Sequence, residues 1–322
     1  MNNASQRRTA RGLLLAVALS GWAAFVNESA ALTPSEKMMW STYAIGTAKG
    51  MAACVIVNRK DPAARHGIVP VLVTAAHVLA VAPHGPYYIA IRTPRPGGNP
   101  DLAILEFAPG SFGKTAYTQL PYHDVAALEL RIPDAMADLI ALPSFIDEDA
   151  IAQFGDEWHV GDAVSVLGFP KVFPGTVGGF GILRGGTIAS YSPGGPRDRE
   201  KFLINANVYS GDSGGPVFAA ARGGRPKLVG LLIERIGQKT GEVPLAVAVD
   251  ATVIRETLQA LSQPDRRSSE NARGAPGFPS NDHTGSTVKL AGPPSMFIKV
   301  VRTKRPAALP IPFSKAFLRI DN

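Results

Sequence analysis

Between Ser41 and Asp250 the chain is built from short apolar runs. Each is bounded by glycine, proline or charge: "AACVIVN", "VPVLVTAAHVL", "YYIAIRT", "DLAILEF" and "DVAALEL", then "AVSVLGFP", "GGTIASY", "FLINANV", "PVFAAA", "KLVGLLIER" and "LAVAV". Runs of this length with turn residues between them predict strands of an all-β sandwich or barrel. The chain's 33 glycines and 27 prolines supply the turns and leave little room for long helices. One interruption separates the two sets of runs. "RIPDAMADLIALPSFIDEDAIAQF" reads as a connection with a helical turn and an acidic patch at Asp147, Glu148 and Asp149. A single segment has helical spacing, "DATVIRETLQAL" over 250–261. Asp250 can cap it, and Val253, Ile254, Thr257, Leu258 and Leu261 share one face.

The ends read differently from the body. Arg7, Arg8 and Arg11 precede an apolar stretch, Gly12–Val26, that is short for a membrane span. Small residues at Ser29 and Ala31 follow. This is the pattern of a signal peptide cleaved after Ala31, with no stable membrane span afterwards. The expected location is secreted or periplasmic, in a bacterium. Residues 263–322 are rich in Pro, Gly, Ser and basic residues and are expected to be largely disordered. Their more apolar last stretch could dock on a partner or an anionic surface.

The net charge of +7 does not point to nucleic acid. Residues 1–31 carry +2 and residues 263–322 carry +6, which leaves the body 32–262 at −1. A nucleic-acid-binding core would carry its basic patch on the folded part. The lone cysteine, Cys54, lies inside an apolar run and reads as a small buried hydrophobe, so the fold stands without an internal disulfide. No pair of histidines has metal-ligand spacing, and no metal or cofactor is expected.

Three segments carry chemistry: "VTAAHVL" with His77, "YHDVAALEL" with Asp124, and "VYSGDSGGPVF" with Ser213. A serine nucleophile needs a base to take its proton and an acid to orient that base. A developing oxyanion needs backbone amides aimed at one point, and glycines permit the backbone conformation that does so. In "TAAH" and "GDSGGP", in that order, the chain resembles the trypsin-like (chymotrypsin-fold) serine peptidases. It is closest to their disulfide-free bacterial branch of HtrA-like and glutamyl-endopeptidase-like enzymes. The resemblance spans about residues 44–261.

It implies two packed six-stranded antiparallel β-barrels, at about 40–135 and 155–250, with the helix over 250–261 closing the peptidase domain 32–262. It implies His77 as general base, Ser213 as nucleophile, and the amides of Gly211 and Ser213 as the oxyanion hole. The acid has two candidates, since "DLAIL" at Asp101 and "DVAAL" at Asp124 both fit. Asp124 is preferred because it leaves room for two strands after His77. Asp212 is expected to find a local partner. Asn207, Val208, Ile233, Glu234 and Arg235 would contact substrate, and no acid at the pocket base favours Lys or Arg. No PDZ module is expected after the peptidase domain. The expected activity is peptide-bond hydrolysis through an acyl-enzyme on protein or peptide substrates. The alternative is a catalytically silent domain of the same fold that binds a protein partner.

Overall fold

In the computed structural model of the chain, every residue from Ala52 to Asn58 is buried, on both faces of one strand. The structure describes residues 32–262 except 48–49, 65, 83–84, 94–99, 108–109, 112–113, 116, 131, 133–144, 154–157, 172–178, 192–199, 221–224 and 237–243, together with residues 299–302. The expected signal peptide and most of the tail lie outside the described residues.

The chain order is helix α1 (Pro34–Ser41), β1 (Thr42–Thr47), β2 (Gly50–Lys60), β3 (Ile68–Thr74), a short helix α2 (Ala76–Ala80), β4 (Tyr87–Thr93) and β5 (Asp101–Phe107). A small hairpin follows, β6 (Gly110–Ser111) with β7 (Lys114–Thr115), then β8 (Thr118–Gln119), β9 (Ala126–Glu129) and β10 (Ile146–Asp147). The second set is β11 (Ala163–Gly168), β12 (Ile182–Tyr191), β13 (Lys201–Asn205), β14 (Pro216–Ala220), β15 (Pro226–Ile236) and β16 (Leu245–Asp250). Helix α3 (Ala251–Ser262) follows, and β17 (Lys299–Arg302) lies in the tail.

The architecture is chymotrypsin-like, as expected. Strands β11-β12-β13-β16-β15-β14 close an antiparallel six-stranded barrel, and the first set forms a second sheet in the order β17-β5-β4-β1-β2-β3-β9-β8. The first body differs in detail from a closed barrel. Among the described residues its sheet is an open path, because the outer edge of β5 pairs with the tail strand β17, in register from Lys299–Glu106 to Arg302–Ala103. One buried apolar cluster runs through both bodies, from Ile56 and Leu72 to Val166, Phe218 and Leu258. Helix α3 forms where the spacing predicts. Asp250 Oδ1 accepts the Thr252 amide at 2.8 Å, and Val253, Ile254, Thr257 and Leu258 are buried beneath it.

Helix α1 is not apparent in the sequence, and Arg92 on β4 holds it in place. Arg92 is fully buried, yet no carboxylate pairs with it among the described residues. Its guanidinium donates to the carbonyls of Met39, Trp40 and Thr42 at 2.7–3.1 Å, and to Gly179 at 2.8 Å in the segment entering β12. The rings of Tyr43 and Phe180 cover it, with its Cζ 4.0 and 4.4 Å from their centroids. Carbonyl dipoles and aromatic faces replace the counter-ion a buried cation otherwise needs.

Cys54 is buried on β2, and its Sγ donates to the Tyr43 carbonyl at 3.5 Å. Burial pushes its thiol well above the ordinary range. We expect a thiol reagent to find no reactive group in the folded protein and one after denaturation, read as absorbance of the released chromophore.

Candidate active site

Register brings the first two site residues together. Strands β3 and β9 pair with Thr74 opposite Ala126. His77 lies three residues beyond Thr74 and Asp124 two before Ala126, so both leave the sheet at the same end. His77 does not continue the strand, as the run "VPVLVTAAHVL" suggested. The strand stops at Thr74, and the following turn of helix α2 exposes the imidazole.

Asp124 holds this histidine at two points. Its Oδ1 accepts the His77 amide at 2.8 Å, and its Oδ2 lies 2.6 Å from His77 Nδ1. A carboxylate bound to backbone and ring at once fixes the ring's orientation and keeps the proton on Nδ1, leaving Nε2 as the basic nitrogen. Burial alone would push the Asp124 carboxyl up. Hydrogen bonds from the His77 ring and from the His77 and Ala76 amides, with the attraction of a charged imidazole, outweigh it and hold the carboxyl below its usual range. Asp101 lies elsewhere, exposed at the start of β5 opposite Thr93. His123, beside Asp124, lies 4.0 Å from Glu200 through Nδ1.

The turn 209–215 presents Ser213. The Asp212 amide donates to Tyr209 O at 3.1 Å, and the Gly215 amide to Asp212 O at 2.8 Å. Gly211 and Gly214 sit at φ +103° and +80°, where a side chain is strained. Neither position has space for one. A Cβ on Gly211 would collide with the Phe169 carbonyl, and one on Gly214 with Thr74 Oγ1 and the Ala53 carbonyl. The second collision shows how closely the turn meets the first sheet: the Ala53 amide also donates to Ser213 O at 2.8 Å. Ser213 is thereby set against the β3–α2 junction that carries His77. Among the described residues, neither the Gly211 nor the Ser213 amide has an acceptor. Two donors without partners beside a serine are what a developing oxyanion requires.

Asp212 has its local partner in Arg184 on β12. The carboxylate is fully buried, and its Oδ2 accepts Arg184 Nη1 and the Tyr209 amide, each at 2.7 Å. Gly168 makes room for the pair, because a Cβ there would strike both side chains. The sequence holds an unread signal for Arg184: it is the one charge in "FGILRGGTIAS", and in the β11–β12 ladder it lies opposite Val166, two residues before the glycine of "VLGFP" that its guanidinium approaches.

The expected substrate residues lie around this turn. Val208 and Ile233 are buried, and Asn207, Glu234 and Arg235 are exposed. Ile233 occupies a bulge in the β15–β16 pairing, between Leu232 and Glu234. Among the described residues no group of three or more His, Cys, Asp or Glu is placed to hold a metal ion.

The chain is similar to solved structures of the Rv3671c protease of M. tuberculosis H37Rv in inactive forms. A serine-to-alanine mutant is 19% identical over 71% of this chain and 90% of that one, at a TM-score of 0.41. A second is 17% identical over 71% and 93%, at a TM-score of 0.42. No curated protein matches the chain. The model of the trypsin-like peptidase domain matches residues 52–231, which contain His77, Asp124 and Ser213. Membership of a peptidase family makes proteins or peptides its substrate class. With a match over more than half of its length, the chain belongs to the trypsin-like peptidase domain family.

Proposed function

We propose that the protein is a serine endopeptidase acting after export, which cleaves peptide bonds through an acyl-enzyme on Ser213. The observation that carries this reading is the two-point grip of Asp124 on His77, with a turn whose Gly211 and Ser213 amides have no acceptor among the described residues. His77 takes the Ser213 hydroxyl proton as Ser213 Oγ attacks the scissile carbonyl. The amides of Gly211 and Ser213 receive the oxyanion. His77 then returns the proton to the leaving amine, and water repeats the sequence on the ester. Asn207, Val208 and Ile233 shape the pocket for the residue before the cut, and Glu234 and Arg235 border the strand that pairs with substrate backbone.

The domain organisation is proposed with it: an export signal over 1–31, the peptidase over 32–262, and the tail 263–322 as a docking segment for a partner or anionic surface. No described helix is long and apolar enough to cross a membrane.

A fluorophosphonate probe reacts with a serine already activated by its base and oxyanion hole. We expect the protein with the signal removed to label, and Ser213→Ala to give no signal at equal folding by circular dichroism. A folded wild type that does not label would support the silent, partner-binding alternative instead.

A further inference from the structure

We propose that Lys171 selects substrates with an acidic residue just after the cleaved bond; this rests on the peptidase reading above. The nucleophile turn is held from two sides. On one side β15 bonds it, with the Gly214 amide donating to Leu232 O at 2.7 Å and the Leu232 amide to Gly215 O at 2.9 Å. On the other side lies the segment leaving β11, where the Lys171 amide donates to Ser210 O at 2.9 Å. A substrate whose acyl half runs along β15 must send its leaving half past the second side.

Lys171 occupies that exit. Its side chain crosses Gly211, with Cγ 3.4 Å from the position a Cβ there would take. Its ammonium reaches the first sheet, with Nζ 3.7 Å from the Cβ position of Gly50 at the start of β2. The cation thus lies across the gap between the nucleophile turn and β2, next to one of the two free amides. It is exposed, and no carboxylate pairs with it among the described residues. The other charges near the turn do not neutralise it. Arg184 and Asp212 pair with each other beneath the turn, and Glu234 and Arg235 lie on β15. A substrate carboxylate in the first or second position after the cut is the complement to such a cation, and a lysine or arginine there is repelled.

The test is a digest of a proteome-derived peptide library by the protein without its signal, with the cleaved bonds read by mass spectrometry. Wild type should enrich Asp and Glu over Lys and Arg in the first two positions after the cut by about two- to fivefold, the yield of an exposed ion pair. Lys171→Ala should lose the enrichment, and Lys171→Glu should turn it toward basic residues. The pattern before the cut should be the same in all three, and added salt should flatten the difference between them. An enzyme that cuts without this enrichment, or keeps it in Lys171→Glu, overturns the role of Lys171 alone. A wild type that neither cuts nor labels with the fluorophosphonate overturns the peptidase reading and takes this proposal with it.

Discussion

Asp124→Asn is expected to keep the fold and to slow acylation by about ten-thousandfold, the loss found when an asparagine replaces the acid of a Ser-His-Asp triad. The geometry explains both halves of that result. The asparagine carbonyl can keep the 2.8 Å bond to the His77 amide, so helix α2 stays in place. Its amide group then faces His77 Nδ1, where Oδ2 had been an acceptor at 2.6 Å. An NH₂ group can only donate to Nδ1, so the ring carries its proton on Nε2 and cannot take one from Ser213. Second-order labelling with the fluorophosphonate measures the loss. Asp101→Asn, an exposed change at the start of β5, should stay within about twofold of wild type. A reversed ranking would remove Asp124 from the mechanism. Stability gives a second readout with a defined sign. The Asp124 carboxyl is held below its unfolded value. Its contribution is therefore present above about pH 4 and is lost as the pH falls through the lower folded value. The melting temperatures of wild type and Asp124→Asn should converge in that acidic window.

Arg184→Leu is expected to damage both stability and activity. Asp212 would keep one partner, the Tyr209 amide, in a site with no access to water. Breaking a buried pair by removing one member costs about 3–5 kcal/mol, because the other charge is left uncompensated. For a domain of this size that is a fall of roughly 6–20 °C in melting temperature. The turn can escape the cost by protonating Asp212 or by turning its carboxylate out; either loosens the anchor, and the second moves the Gly211 and Ser213 amides on either side of it. Labelling should therefore fall by about a hundredfold or more, comparable to losing an oxyanion-hole donor. Two further variants separate the effects. Arg184→Lys should recover part of both. Arg184→Leu combined with Asp212→Asn should recover melting temperature and leave labelling slow, because no charge is stranded but the turn has lost its anchor. Full labelling in Arg184→Leu would show that the pair is not needed to shape the turn.

What the sequence reveals here depends on the range of the interaction. The strands are local: "YYIAIRT" and "DLAILEF" are short apolar runs bounded by turn residues, and they form β4 and β5. The cap at Asp250 is local too. The glycines around Ser213 mark a backbone that cannot be an ordinary turn, and two of them sit at positive φ. The choice between Asp101 and Asp124 is not local. Both precede the same apolar pattern, and the β3–β9 register sets Asp124 beside His77. Arg184 is 28 residues from Asp212, and only closure of the second barrel brings them together. Helix α1 is invisible for a related reason. "PSEKMMWS" has no strong apolar face, and the helix is fixed by carbonyl bonds to Arg92, 52 residues beyond Trp40.

That last arrangement sets where a shortened chain can begin. A boundary drawn from strand pattern alone falls at Thr42, the first residue of β1. Such a chain would lack the Met39 and Trp40 carbonyls and the edge-on contact between the Trp40 and Phe180 rings. It would leave a buried guanidinium with donors facing a vacated hollow. The remaining bonds, to Thr42 and Gly179, would then hold an under-solvated cation between β1 and the segment that enters β12 and leads to Arg184. A shortened chain is therefore expected to need Pro34 as its start, eight residues earlier than the first strand, because α1 packs as part of the folded body.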